Sequence, residues 1–209
     1  MSVIEQLNWR YATKKFDTEK KLTVDKVTLL KEAFNLTATS YGLQPVTLFV
    51  ISNDELKKEL QTHAYNQSQV GDCSHLLVFC ITTNVDDNFI KEYFTLVKDI
   101  RNTPDDILEP YQNFLVNDFG GKKLEEIEVW AAKQAYLALG NLMTVCALEE
   151  IDACPMEGFK TDMFDQVLDL KSKQLKSVLI MPVGYRAVDD MFADFKKVRK
   201  NVTDTVIDL

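Results

Sequence analysis

The chain has 209 residues, close to half of them apolar and about a quarter charged, with a formal net charge of -8; this is ordinary globular composition, sufficient for one domain with a full core. The negative balance argues against a nucleic-acid partner, which requires a clustered positive surface, although a few local cations can still hold one small anion. No secretory leader pattern opens the chain and no run of about 18 charge-free apolar residues occurs, so a cytoplasmic protein without a membrane span is expected.

Residues 2–9 read as a short helix with Val3, Ile4 and Leu7 on one face. Residues 21–36 give a stronger helical pattern, with Thr23 as N-cap, Leu22 and Val27 at staple positions, and Val27, Leu30 and Phe34 at helical spacing. The stretch 39–45 breaks it, as Gly42 and the pre-proline Gln44 should. Three β-rich runs follow at 47–52, 75–83 and 176–183, apolar without alternation, as in strands covered on both faces. Helical segments at 54–62 and 164–170 lie among them, so helices on both sides of a central sheet are expected. Between 84 and 123, helical pieces are expected at 89–100 and 108–116; the pair Gly120-Gly121 fits either a mobile lid or an ordinary surface loop. Residues 126–150 form the longest helical candidate, apolar around most of its circumference, which predicts burial on all sides and hence a subunit interface. Residues 201–207 alternate polar and apolar like an exposed strand.

The cysteines, Cys73, Cys80, Cys146 and Cys154, lack metal-ligand spacing and read as buried free thiols. His63 and His75 are too few for a metal site. There is no Ser-His-Asp or Cys-His pattern, no phosphate-binding Walker loop and no GxGxxG.

Three separated pieces gain meaning together: the segment from Arg10 to Phe16 (Arg-Tyr-Ala-Thr-Lys-Lys-Phe), that from Pro155 to Phe159 (Pro-Met-Glu-Gly-Phe), and Lys197-Val198-Arg199. With Gln44-Pro45 and the helix opening at Trp130-Ala131-Ala132-Lys133-Gln134, this order resembles the FMN-dependent nitroreductase family, most of all its oxygen-insensitive enteric branch of NAD(P)H nitroreductases and dihydropteridine reductases. The likeness runs from about Ile4 to Arg199. It implies an α+β nitroreductase fold with a mostly antiparallel central sheet flanked by helices. It also implies one domain over residues 1–209, an intertwined homodimer, and a C-terminal extension (about 200–209) that reaches the partner subunit.

What the resemblance implies for the site is specific. Arg10, Lys197 and Arg199 would hold the flavin phosphate, where charge-assisted bonds are strongest. Lys14 would reach the pyrimidine edge of the isoalloxazine and stabilise the charge of the reduced ring; Lys15 would be plain surface. Asn66 would hydrogen-bond the ring; read by itself it is a polar loop residue. Gln69 stands where a lysine is common. The backbone of Glu157 would approach flavin N5, with Gly158 allowing close passage and Pro155 shaping the approach. Ser40, Tyr41 and Gln44 would come from the partner subunit. Tyr11 and Ala12 replace residues that commonly offer a further side-chain bond. Lys14 and Glu157 are thus the candidate catalytic positions. The substrate-facing aromatic falls at Val116 by gapless counting, with Phe114 and Phe119 as substitutes. The implied activity is ping-pong, two-electron reduction of nitroaromatics, quinones or flavins, with NAD(P)H as transient reductant and no metal. An enone or pteridine reductase on the same fold and a non-catalytic FMN store are the alternatives.

Overall fold

Ser2 begins the first helix in this computed structural model, which describes residues 2–209. Its hydroxyl accepts from the Glu5 N–H at 3.2 Å while the Glu5 carboxylate accepts from the Ser2 N–H at 2.6 Å, a reciprocal cap that starts α1 (Val3–Trp9). Thr23 caps α2 (Val24–Asn35) in the expected place, and the flanking Leu22 and Val27 meet in one apolar cluster. The expected apolar face of α1 is not buried in the chain: Val3, Ile4 and Leu7 are exposed, and Gln6 turns inward instead.

Four strands build the sheet: β1 (Val46–Ile51), β2 (His75–Thr82), β3 (Asp152–Ala153) and β4 (Leu175–Gly184), in the order β1-β2-β4-β3 and antiparallel throughout. The non-alternating strand sequences follow from cover on both faces. Leu77, Phe79, Ile81, Leu179, Met181 and Val183 pack against α2 and α7 (Leu124–Leu148). Leu76, Val78, Cys80 and Ile180 pack on the other side with Leu60, Val70 and Phe164, from α3 (Asp54–Thr62), α4 (Ser68–Asp72) and α8 (Thr161–Val167). All four cysteines are buried and free; burial pushes the thiols of Cys73, Cys80 and Cys146 up to about 12, which leaves them inert.

The stretch that the sequence reads as two helical pieces is a hairpin of longer helices, α5 (Asp87–Arg101) and α6 (Asp105–Gly120), closed on a third apolar cluster around Ile90, Phe94, Leu115 and Phe119. The pair Gly120-Gly121, open from sequence between a lid and an ordinary surface loop, falls at the end of α6. Gly120 is the last helical residue and Gly121 the cap, its N–H bonded to Asn117 O at 3.2 Å. The cause is Phe119, buried against Trp130, which holds the last turn wound. The C-terminal expectation also changes. Residues 201–207 are not a strand but carry a 3₁₀ turn at Val202–Asp204, closed by Thr205 bonds to Asn201 O and Val202 O. Alternation alone makes no strand where the segment has no edge beside it.

Candidate functional site

The N-terminal basic segment is fixed by the sheet it runs beside. Ala12 bridges Ala153 and Phe16 bridges Arg186, while Thr13 N–H bonds Ala153 O at 3.4 Å and Ala187 N–H bonds Lys15 O at 2.9 Å. A buried ion pair stands behind it: Arg186 meets Asp152 at 2.6 Å and lies with its guanidinium 4.2 Å from the Trp9 ring centre and 4.6 Å from that of Tyr11. Successive side chains of an extended segment alternate sides. Thr13 turns inward to Asp152 at 3.3 Å, and Lys14 turns to the opposite side. Lys15 pairs with Asp189 on the surface, as expected.

Arg10, Tyr11, Ala12 and Lys14 then line an open cavity of about 330 Å³, completed by Lys197, Arg199 and the rings of Phe192 and Phe195. The structure thereby joins the first and last of the three sequence pieces, nearly the full chain apart. Lys197 donates to the Arg10 carbonyl. Burial and then Arg199 lower the Arg10 guanidinium from its ordinary value; burial and then Arg10 lower the Lys197 ammonium. Like charges gathered in partial burial are the physical signature of an anion site.

Cys154, immediately ahead of the middle piece, adjoins Lys14. The Lys14 Nζ lies 3.6 Å from Cys154 Sγ. Gln69 Nε2 reaches Gln67 Oε1 at 3.2 Å, and Gln67 Nε2 donates to Gly158 O at 2.9 Å. That chain of contacts binds the Asn66–Gln69 turn to the Pro155–Gly158 turn. Tyr136 Oη donates to Glu157 Oε1 at 2.7 Å, which raises the phenol from its ordinary value and fixes the carboxylate. A Cβ at Gly158 would meet only Gln67 Nε2 at 3.6 Å, so the space over this turn is open.

Ser40, Tyr41 and Gln44 lie apart from the cavity. Ser40 N–H bonds Gln134 Oε1 at 2.8 Å, and the Tyr41 ring packs on Phe119 and Trp130. Of eight non-glycine residues at positive φ among the described residues, four fall in the two loops singled out from sequence: Tyr41, Gln44, Tyr65 and Asn66. Each costs about 1–2 kcal/mol, a strain that holds side chains in uncommon directions.

The three candidates for an aromatic near Val116 lie in different surroundings. Val116 packs in the third cluster and Phe119 is buried, whereas Phe114 is exposed and stacked on Tyr111, their ring centres 6.1 Å apart. Sequence reading missed Gln67, Tyr136 and Asp190. Gln67 and Tyr136 sit inside segments already singled out, and their side-chain amide and phenol were the available signal. Asp190 has none, because its donors are mostly backbone.

Residues 7–185 match the family model described as the Nitroreductase family. The chain is 30% identical over 222 residues to the oxygen-insensitive NAD(P)H nitroreductase of Salmonella typhimurium, covering all of both chains. It is 31% identical over 207 residues to the enzyme of that name from Enterobacter cloacae, covering 95% of each. Among solved structures, the Nitroreductase Family Protein of Streptococcus pneumoniae superposes with a TM-score of 0.83 at 20% identity, over 100% of both chains. A chain from Exiguobacterium sibiricum crystallised in complex with FMN gives a TM-score of 0.84 at 21% identity, over 99% of this chain and 97% of that one.

Proposed function

The chain belongs to the nitroreductase family, and from that membership we propose that it is an FMN-dependent NAD(P)H oxidoreductase passing electrons in pairs to nitroaromatics, quinones or flavins. The observation that carries this reading is the cavity where Arg10, Lys14, Lys197 and Arg199 converge, with Lys14 Nζ reaching Cys154 immediately ahead of the Pro155–Gly158 turn. The donor set fits FMN. Two guanidiniums and an ammonium suit a phosphate, and the further ammonium of Lys14 lines the same cavity.

When bound, FMN supplies hydride acceptance from NAD(P)H and its onward transfer to an electron-poor acceptor. The chain contributes position and charge. Arg10, Lys197 and Arg199 anchor the phosphate. Lys14 holds a positive charge at the ring side, where Gln69 adds none, so the single ammonium carries the stabilisation of added electrons. The Glu157 backbone is offered at the turn while Tyr136 holds its carboxylate. Tyr11 and Ala12 contribute backbone groups, and Asn66, presented by its left-handed turn, is offered to the ring edge.

A homodimer completes the proposal. Val129, Tyr136, Leu137 and Leu148 are exposed along α7, and Gly140 between them has nothing within 4 Å of a Cβ. Val3, Ile4 and Leu7 of α1 add to this exposed apolar surface. Faces of this kind bury against a second copy, which would present its own Ser40, Tyr41 and Gln44 to the cavity. The extension at about 200–209 would then reach the partner subunit, and β1, an open sheet edge, is available to receive a strand. Phe114, on the exposed side of α6, is the ring offered to substrate.

Purified protein should be yellow, bleach on anaerobic addition of NADH or NADPH, and recover its colour with a quinone or nitroaromatic. Yellow protein that stays unbleached would indicate an FMN store. Recovery that is rapid only with an enone or a pteridine would indicate the corresponding reductase. Colourless protein that takes up no FMN would defeat the reading.

A further inference from the structure

Asp190 lies in the turn that follows the Arg186 ion pair, and only 5% of it is exposed. Its Oδ2 accepts from Tyr11 Oη at 2.8 Å and from the N–H groups of Lys14 and Lys15 at 3.0 and 3.1 Å. Its Oδ1 accepts from the N–H of Phe192 at 3.2 Å. Those donors belong to the two stretches that wall the cationic cavity, the segment at 10–15 and the segment at 192–199. We propose that Asp190 is a positioning residue for flavin binding, a clamp that sets the two cationic walls at the separation FMN needs. The inference rests on the reading of the cavity as the FMN site.

Geometry gives the clamp its strength. A carboxylate that receives several N–H and O–H bonds fixes each donor in direction, and such charge-assisted bonds are about twice as strong as neutral ones. Burial would push the Asp190 carboxyl up; the bonds from Tyr11, Lys14, Lys15 and Phe192 together outweigh it and hold the group below its usual range, so it stays charged. Burial first, and Asp190 second, raise the Tyr11 phenol, which stays a donor. Lys14 therefore has a fixed main chain under the side chain that reaches Cys154, and Phe192 fixes the start of the strand of chain that carries Lys197 and Arg199.

Charge alone predicts the opposite effect from positioning, and this makes the proposal testable. A carboxylate beside an anion site repels the anion, so neutralising it should tighten FMN binding if Asp190 acts only through its charge. If Asp190 acts as a clamp, D190N leaves one acceptor oxygen for four donors and loosens both walls. The experiment is fluorescence titration of flavin-free protein with FMN and with riboflavin, which lacks the phosphate, for wild type, Asp190→Asn and Tyr11→Phe. The clamp predicts that D190N weakens FMN by about tenfold or more, the cost of one misplaced charge-assisted bond, and riboflavin by much less. Tyr11→Phe, which removes one donor and keeps the charge, should weaken FMN in the same sense by a smaller factor. FMN binding that is unchanged or tighter in D190N, or an equal loss for both flavins, would overturn the clamp. Should D190N fail to fold, Tyr11→Phe decides, and unaltered FMN affinity there overturns it. Wild-type protein that takes up neither flavin would overturn the reading of the cavity itself, and the clamp with it.

Discussion

Lys14 shows how much one side chain depends on its neighbours. Its identity is plain in the sequence, yet its Nζ is directed by Cys154 Sγ at 3.6 Å and its main chain by Asp190. In the proposed site Lys14 is the cation assigned to the ring of the flavin, and Gln69 is uncharged. Replacing Lys14 with Ala should lower the two-electron potential of bound FMN, by roughly 20–40 mV if the lost interaction is about 1–2 kcal/mol. Anaerobic redox titration against a reference dye measures this; an unchanged potential would remove Lys14 from the electrostatic role. Arg199→Ala tests the other end of the proposed site. It should weaken FMN by roughly ten- to a hundredfold, the range for a hydrogen bond to a charged group, while leaving the potential near that of wild type. A potential that moves with Arg199 instead would mean that phosphate and ring sites are not separable. Arg10, Lys14, Lys197 and Arg199 were legible as motif residues because their chemistry resides in the side chain itself. Asp190 was not, since its partners are main-chain groups brought to it by folding.

Elements were read well where pattern and cap agreed and poorly where a tertiary contact set the boundary. Thr23 and the Leu22–Val27 pair placed α2 almost to the residue. The two-residue strand β3 carried no pattern of its own; it exists because Asp152 and Ala153 meet Gly184 and Val183 of β4. The clearest revision concerns the end of α6. Gly120 is helical, has ordinary backbone geometry, and a Cβ there would meet nothing within 4 Å. Gly120→Ala should therefore fit without strain and raise stability, by up to about 1 kcal/mol, the helix preference of Ala over Gly. Thermal melting checks the gain, and steady-state kinetics check the function. Lost activity in a more stable protein would favour the mobile-lid reading over the ordinary surface loop.

At the scale of the molecule, α7 has one face in the core and one apolar face outside it. Ala131, Ala135, Ala138, Leu142 and Cys146 pack under the sheet, while Val129, Tyr136, Leu137 and Leu148 meet solvent. The sequence showed a helix apolar around its girth, and the fold divides that girth into a buried half and an offered half. Leu137→Asp places a charge in the offered half and leaves the core untouched. Sedimentation velocity should then give a monomer where wild type gives a dimer. FMN affinity should fall as well, because Ser40, Tyr41 and Gln44 sit away from the cavity of their own chain. A dimer that survives the substitution would place the interface elsewhere. A monomer that binds FMN as tightly as wild type would remove those three residues from the site.

The sequence by itself determined the covered sheet, the long central helix, and the side chains that bear the charge, because strand burial, helical period and side-chain identity are local properties. Only the tertiary structure decided which of those residues meet. It placed segments near the two ends of the chain on two walls of one cavity, put Cys154 against Lys14, and kept Phe119 in the core while leaving Phe114 outside. The physical reason is that these relations depend on distances between segments remote in the chain, which are set by sheet order and packing and leave no period or spacing to be read.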